Sequence, residues 1–137
     1  MVDVQIIDFS IQVQVDFQRP RLKSDADPIG VARKLAEGFG EFMDVQDVVL
    51  VSTDDLFGYS LTIPMFKGAG DVVVNPQNLL VAFRTGRNRQ ALMFIVETIC
   101  KICSIAVKGA VRQSGITGNA VASFRDKSAY QDFMKRF

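Results

Sequence analysis

The stretch Ile7-Asp8-Phe9-Ser10-Ile11-Gln12-Val13-Gln14-Val15-Asp16-Phe17 alternates an apolar side chain with a polar one without a break. Successive strand side chains point to opposite faces, so this pattern predicts a long strand with one face on a core. Its other face is left to water or to a polar partner surface, which favours an antiparallel sheet. A strand this long at a sheet edge would need cover, so its polar side is expected to pair with or lie on another chain.

Working outward, residues 18–27 read as a polar loop. Asp27-Pro28 then supplies an N-cap and a first-turn proline for a helix. Within that helix Ile29, Ala32, Leu35, Ala36, Phe39, Phe42 and Met43 share one arc, with Arg33, Lys34, Glu37 and Glu41 opposite. Gly38 and Gly40 imply either close approach to the sheet or a frayed last turn. Val48 to Val51 reads as a short buried strand. Phe57, Tyr59, Leu61, Ile63 and Met65 alternate with small residues, and Pro64 places that strand at an edge or leaves its outer end unpaired. After a turn at Lys67-Gly68-Ala69-Gly70-Asp71, residues 72–83 read as one irregular return strand interrupted at Asn75-Pro76.

Residues 87–108 form the most apolar helix. Arg87, Gln90, Glu97, Lys101, Ser104 and Lys108 lie on one stripe of it, which describes a core helix with a wet edge and argues against a membrane span. Residues 116–124 read as extended and rich in small side chains. Asp126 is placed to cap a last helix whose Tyr130, Phe133, Met134 and Phe137 would dock on the sheet. The expectation is one α+β domain over residues 1–137, a mostly antiparallel sheet covered by helices on one face, in the order β-α-β-β-β-α-β-α.

Composition narrows the function classes. The chain has 137 residues, 48% apolar and 23% charged, with a formal net charge of +1, which suits one globular core and excludes fibrous or disordered readings. It contains no His, which removes imidazole from general acid–base and metal-binding schemes. No secretory leader is legible in Met1-Val2-Asp3-Val4-Gln5, and two Cys do not make a disulfide framework, so a cytoplasmic, soluble protein is expected.

Four short constellations hold residue types that can carry chemistry. Cys100-Lys101-Ile102-Cys103 has redox or zinc spacing, but it lies far inside a helix among isoleucines and reads as two buried, inert thiols. Asp54-Asp55 reads as a solvated turn, not an acid–base pair. Lys67-Gly68-Ala69-Gly70 lacks the residues that complete a phosphate loop and is not followed by a helix. Arg84, Arg87 and Arg89 gather at the start of the long helix, where cations oppose the helix dipole. They are candidates for binding an anion, or for pairing with acids of the same chain such as Asp54, Asp55 or Asp71.

Charge is also uneven: residues 1–81 hold six Lys/Arg against twelve Asp/Glu, and residues 82–125 hold seven against one. If the two sets occupy different faces, copies could attract each other; if they interleave, the asymmetry carries nothing. Phe94 falls on the polar stripe of the long helix beside Glu97 and Lys101, and these three are the expected subunit contact.

The sequence therefore points to a non-catalytic protein-interaction domain acting as a homo-oligomer, with no cofactor, no metal and no membrane. The alternative is an anion- or nucleic-acid-binding protein working through Arg84, Arg87 and Arg89. An enzyme built on Asp54, Asp55 and the same arginines ranks third.

Overall fold

The structure, a computed structural model, describes residues 4–85, 89–107 and 109–136, the side chains of 4–7, 89 and 92 excepted. In chain order the elements are β1 (Val4–Phe17), α1 (Lys23–Ala26), α2 (Pro28–Phe39), β2 (Val49–Ser52), β3 (Tyr59–Met65), β4 (Gly70–Val74), β5 (Asn78–Arg84), α3 (Arg89–Ala106), β6 (Val111–Phe124) and α4 (Lys127–Met134). The strands form one antiparallel sheet in the spatial order β2-β3-β4-β5-β1-β6. This is the expected α+β class, with one strand more than expected and a short helix, α1, inside the segment read as a loop.

The extra strand comes from residues 72–83. Asn75 accepts the backbone N–H of Gln77 at 2.9 Å and of Asn78 at 3.0 Å, so its side chain closes a tight turn. The interruption at Asn75-Pro76 is thus a hairpin, and β4 and β5 pair with each other from Gly70↔Phe83 to Val74↔Leu79. Gly70 is needed there, because a Cβ would lie 1.9 Å from the Phe83 ring.

β1 runs inside the sheet, not along its edge as its polar face had allowed. It pairs with β5 from Ser10↔Arg84 to Asp16↔Asn78 and with β6 over its whole length. Its apolar side chains Val13, Val15 and Phe17 join Leu61, Ile63, Val72, Leu79 and Phe83 on a single buried face. The helices close that face with Val31 and Leu35 of α2 and Ile99 and Ile102 of α3.

Local chemistry sets the helix boundaries. Asp27 caps α2 by accepting the N–H of Gly30 at 3.1 Å, with Pro28 at the first turn. The buried side of α2 is Pro28, Val31, Leu35 and Phe39; Ile29, placed on that arc by spacing, is exposed. Gly38 and Gly40 have open space where a Cβ would sit, so they permit no close approach. They mark the fraying end, where the chain tightens into a 3-10 turn at Gly40–Phe42.

β2 is not buried: Val49, Leu50 and Val51 are exposed because nothing lies beyond it in the sheet among the described residues. Its pairing with β3 stops at Val49↔Thr62, which leaves Pro64 past the end of β2, where its missing N–H costs no ladder bond to that strand. In α3 the buried Thr98 hydroxyl donates back to the Phe94 carbonyl at 2.8 Å, which satisfies it without a partner element. Among the described residues no helix is long and apolar enough to cross a membrane.

Two substitutions test this account of the core. Leu35→Ala empties a fully buried site and should lower the unfolding free energy by about 2–5 kcal/mol in urea titrations. The Tyr59 hydroxyl is buried with no hydrogen-bond partner among the described residues, and desolvation raises its pKa. Tyr59→Phe should therefore melt at the same temperature or higher.

Candidate functional site

Among the described residues, those singled out from the sequence do not assemble into one site. Arg84 is committed within the chain: its guanidinium donates to the Asp8 carboxylate at 2.9 Å, an acid other than those anticipated. Arg87 and the side chain of Arg89 lie outside the described residues. Phe94 is 43% exposed but not a lone aromatic. Its ring meets Phe42 at 5.5 Å and Phe66 at 6.1 Å, both edge-on, and Phe66 in turn meets Phe83. Glu97 and Lys101 are exposed beside it.

The charge asymmetry interleaves. Because β5 and β6 flank β1, Arg84 reaches Asp8 and the Arg112 charge acts on Asp16. Strand order brings the basic C-terminal half against the acidic N-terminal strand.

The weaker motifs also resolve. Asp55 accepts the Phe57 N–H at 3.0 Å, so Asp54-Asp55 is a turn between β2 and β3. In the glycine loop the backbone N–H groups of Lys67 and Gly68 converge on an anion, and that anion is the Asp44 carboxylate, at 3.2 and 3.1 Å. Positive φ at Phe66, Lys67 and Gly68 turns those amides toward it. Cys100 is exposed, contrary to the expectation of two hidden thiols, because α3 buries only the side bearing Ile95, Ile99 and Ile102. Cys103 is half-buried, and desolvation pushes its thiol pKa up. Among the described residues no three potential metal ligands lie together.

The solvent side of β1 and β6 carries a polar cleft of about 330 Å³ lined by Gln12, Gln14, Asp16, Gln113 and Thr117. Asp16 accepts from Gln14 at 2.8 Å and Gln113 at 2.7 Å, and these amides hold its pKa below the usual carboxylate range. Asp126 is likewise lowered, chiefly by the Ala129 N–H that it caps at the start of α4.

The feature with the largest unmet bonding capacity is β6, which sequence reading had reduced to a stretch of small residues. It is 14 residues long, or about 48 Å, and every one of its residues except Phe124 is exposed. β1 lies on one side of it and, among the described residues, no strand on the other. The free edge therefore presents about seven amide and seven carbonyl groups.

Beyond Ser10↔Arg84 the β1–β5 ladder ends, with one last bond from the Thr85 N–H to the Phe9 carbonyl at 2.8 Å, so residues 4–8 of β1 pair with β6 alone, and a two-stranded ribbon is marginal by itself. The signal available in the sequence was the charge pattern: within Val111–Phe124 the one charged residue is Arg112, at one end. The opposite edge differs in kind. β2 has four residues, and Lys23 donates to the Ser52 hydroxyl at 3.2 Å and to the Thr53 carbonyl, guarding its end.

Comparison with known proteins finds no matching family model, no matching curated protein and no matching solved structure.

The lowered pKa values of Asp16 and Asp126 have a definite sign. Their contribution to stability is fully present above the unfolded carboxylate value and is lost as pH falls through the lower folded-state values. Acid titration followed by circular dichroism should show destabilisation beginning below about pH 4, and Asp16→Asn should remove part of that pH dependence.

Proposed function

We propose that this protein is a non-catalytic association domain and that it works as a homo-oligomer through the free edge of β6. The observation carrying this reading is the 14-residue exposed strand that, among the described residues, has a partner strand on one side only. A long unprotected edge is a template for another strand, and native proteins otherwise blunt such edges with charge, proline or brevity. β6 has none of these devices along its centre, whereas β2 is short and guarded by a lysine.

A second copy suits the edge better than an unrelated strand. An antiparallel strand is self-complementary about a two-fold axis, and two β6 edges would join two sheets into one. Centred near Thr117 and Gly118, such pairing sets Arg112 far from its own counterpart, so no like charges face each other. In the anion-binding alternative, an external anion would compete with Asp8 for Arg84.

Sedimentation equilibrium tests the proposal. The protein should run at the mass of two chains at micromolar concentration. Thr117→Lys with Asn119→Lys, both at exposed positions on the polar side, should shift it to one chain with unchanged circular dichroism, because like charges would then meet across the axis. A wild-type protein that stays at one chain at every concentration would overturn the reading.

A further inference from the structure

The layer of helices is too narrow for the sheet. Six strands about 4.8 Å apart make a face roughly 29 Å wide, whereas two helices side by side cover about 20 Å. α2 packs on β3, α3 packs on β5, and the two helices touch each other. Phe94 points from α3 toward Phe42 and Phe66, the side on which α2 ends, while Ile95, Ile99 and Ile102 point down into the core.

At roughly 100° per residue, Met93, Val96 and Cys100 then lie on the opposite flank, toward β1 and β6. Met93, Val96 and Cys100 are exposed. Ile116 pairs with Val13 and so lies on the helix-covered side of the sheet, yet it is 74% exposed. Between α3 and the edge of β6 runs an apolar strip about one helix wide, without a charged side chain and uncovered among the described residues.

We propose that α4 of a second copy fills this strip, packing over Ile116 and against the Cys100 flank of α3 in an exchange across the two-fold axis. This rests on the pairing of β6 edges proposed above. α4 follows β6 directly: Asp126 caps it, and Tyr130 and Phe133 each hold it to Phe124 at 5.3 Å.

Phe124 falls on the same side of β6 as Ile116, since they are an even number of residues apart and the one register shift on the β6 side, at Arg112, lies outside that span. In an antiparallel β6 pair the C-terminal end of one strand lies beside the N-terminal half of the other. Each α4 is therefore delivered to the open strip of its partner, with Tyr130 and Met134 still exposed for contact. A paired backbone edge alone is one strand wide, and stable interfaces bury about 1,200–2,000 Å², so the apolar strip supplies area that the ladder lacks.

Cys100 reports on this contact. In a Cys103→Ser background, the rate of N-ethylmaleimide addition to Cys100 should fall by at least about tenfold between dilute monomer and concentrated dimer. Tyr130→Asp with Met134→Asp, or a chain ending at Arg125, should weaken the dimer and restore the fast rate even at concentrations that return it to the mass of two chains. A wild-type monomer at all concentrations would overturn both this inference and the β6 pairing. A dimer whose Cys100 reacts at the monomer rate, or stays protected in the α4 variants, would overturn the exchange alone and leave the strand pairing standing.

Discussion

Everything else in the molecule is arranged around the two ladders that β1 carries at once. Its backbone is hydrogen-bonded to β5 on one side and β6 on the other, so the first strand of the chain binds a meander to a C-terminal strand made last. Its side chains divide by parity. Val13, Val15 and Phe17 help to floor the core, and Gln12, Gln14 and Asp16 form an amide-rich outer face. A shift of one residue in either ladder would exchange these faces and bury Asp16. Register is thus strongly specified in the body of the sheet, where helices cover it.

That specification weakens toward β6. Among the described residues α4 meets it at Phe124, the rest of its length is exposed, and its composition of Gly, Ala, Ser and Thr reflects that freedom. The Phe9 ring lies close over Gly118, 3.3 Å from where a Cβ would stand, and shields a glycine that would otherwise expose its backbone. The chain therefore combines a covered core of four strands, β1, β3, β4 and β5, with a short exposed edge at β2 and a sixth strand whose edge and one face are both uncovered among the described residues. In the proposed assembly, another copy of the same surface completes the open edge and the open layer together.

Several features were legible because they are local. The alternation of residues 7–17, the Asp27-Pro28 and Asp126 caps, the inward large face of β3 and the turn at Asp54-Asp55 each depend on neighbours a few residues apart. The Asn75 turn was local too, but its asparagine was read as an interruption of one strand, whereas its side chain closes a hairpin between two. Features that depend on distant partners were not legible. Arg84 could be seen to need an acid, but Asp8 is 76 residues away and became its partner only through the β1–β5 register. The glycine loop could be seen to turn backbone amides toward an anion, but Asp44 reaches it from a different turn.

By itself the sequence determined the periodicities: which segments extend, which coil, and which side of each is apolar. Those follow from steric and solvation preferences of each residue and its close neighbours. Only the tertiary structure decided the order of the strands, and with it that β1 is internal, that β2 and β6 are the edges, and that Cys100 is exposed while Cys103 is half-buried. Strand order is set by contacts between residues far apart along the chain. A pattern of two or of 3.6 says which face is buried, but not which neighbour covers it, nor whether any neighbour is left to do so.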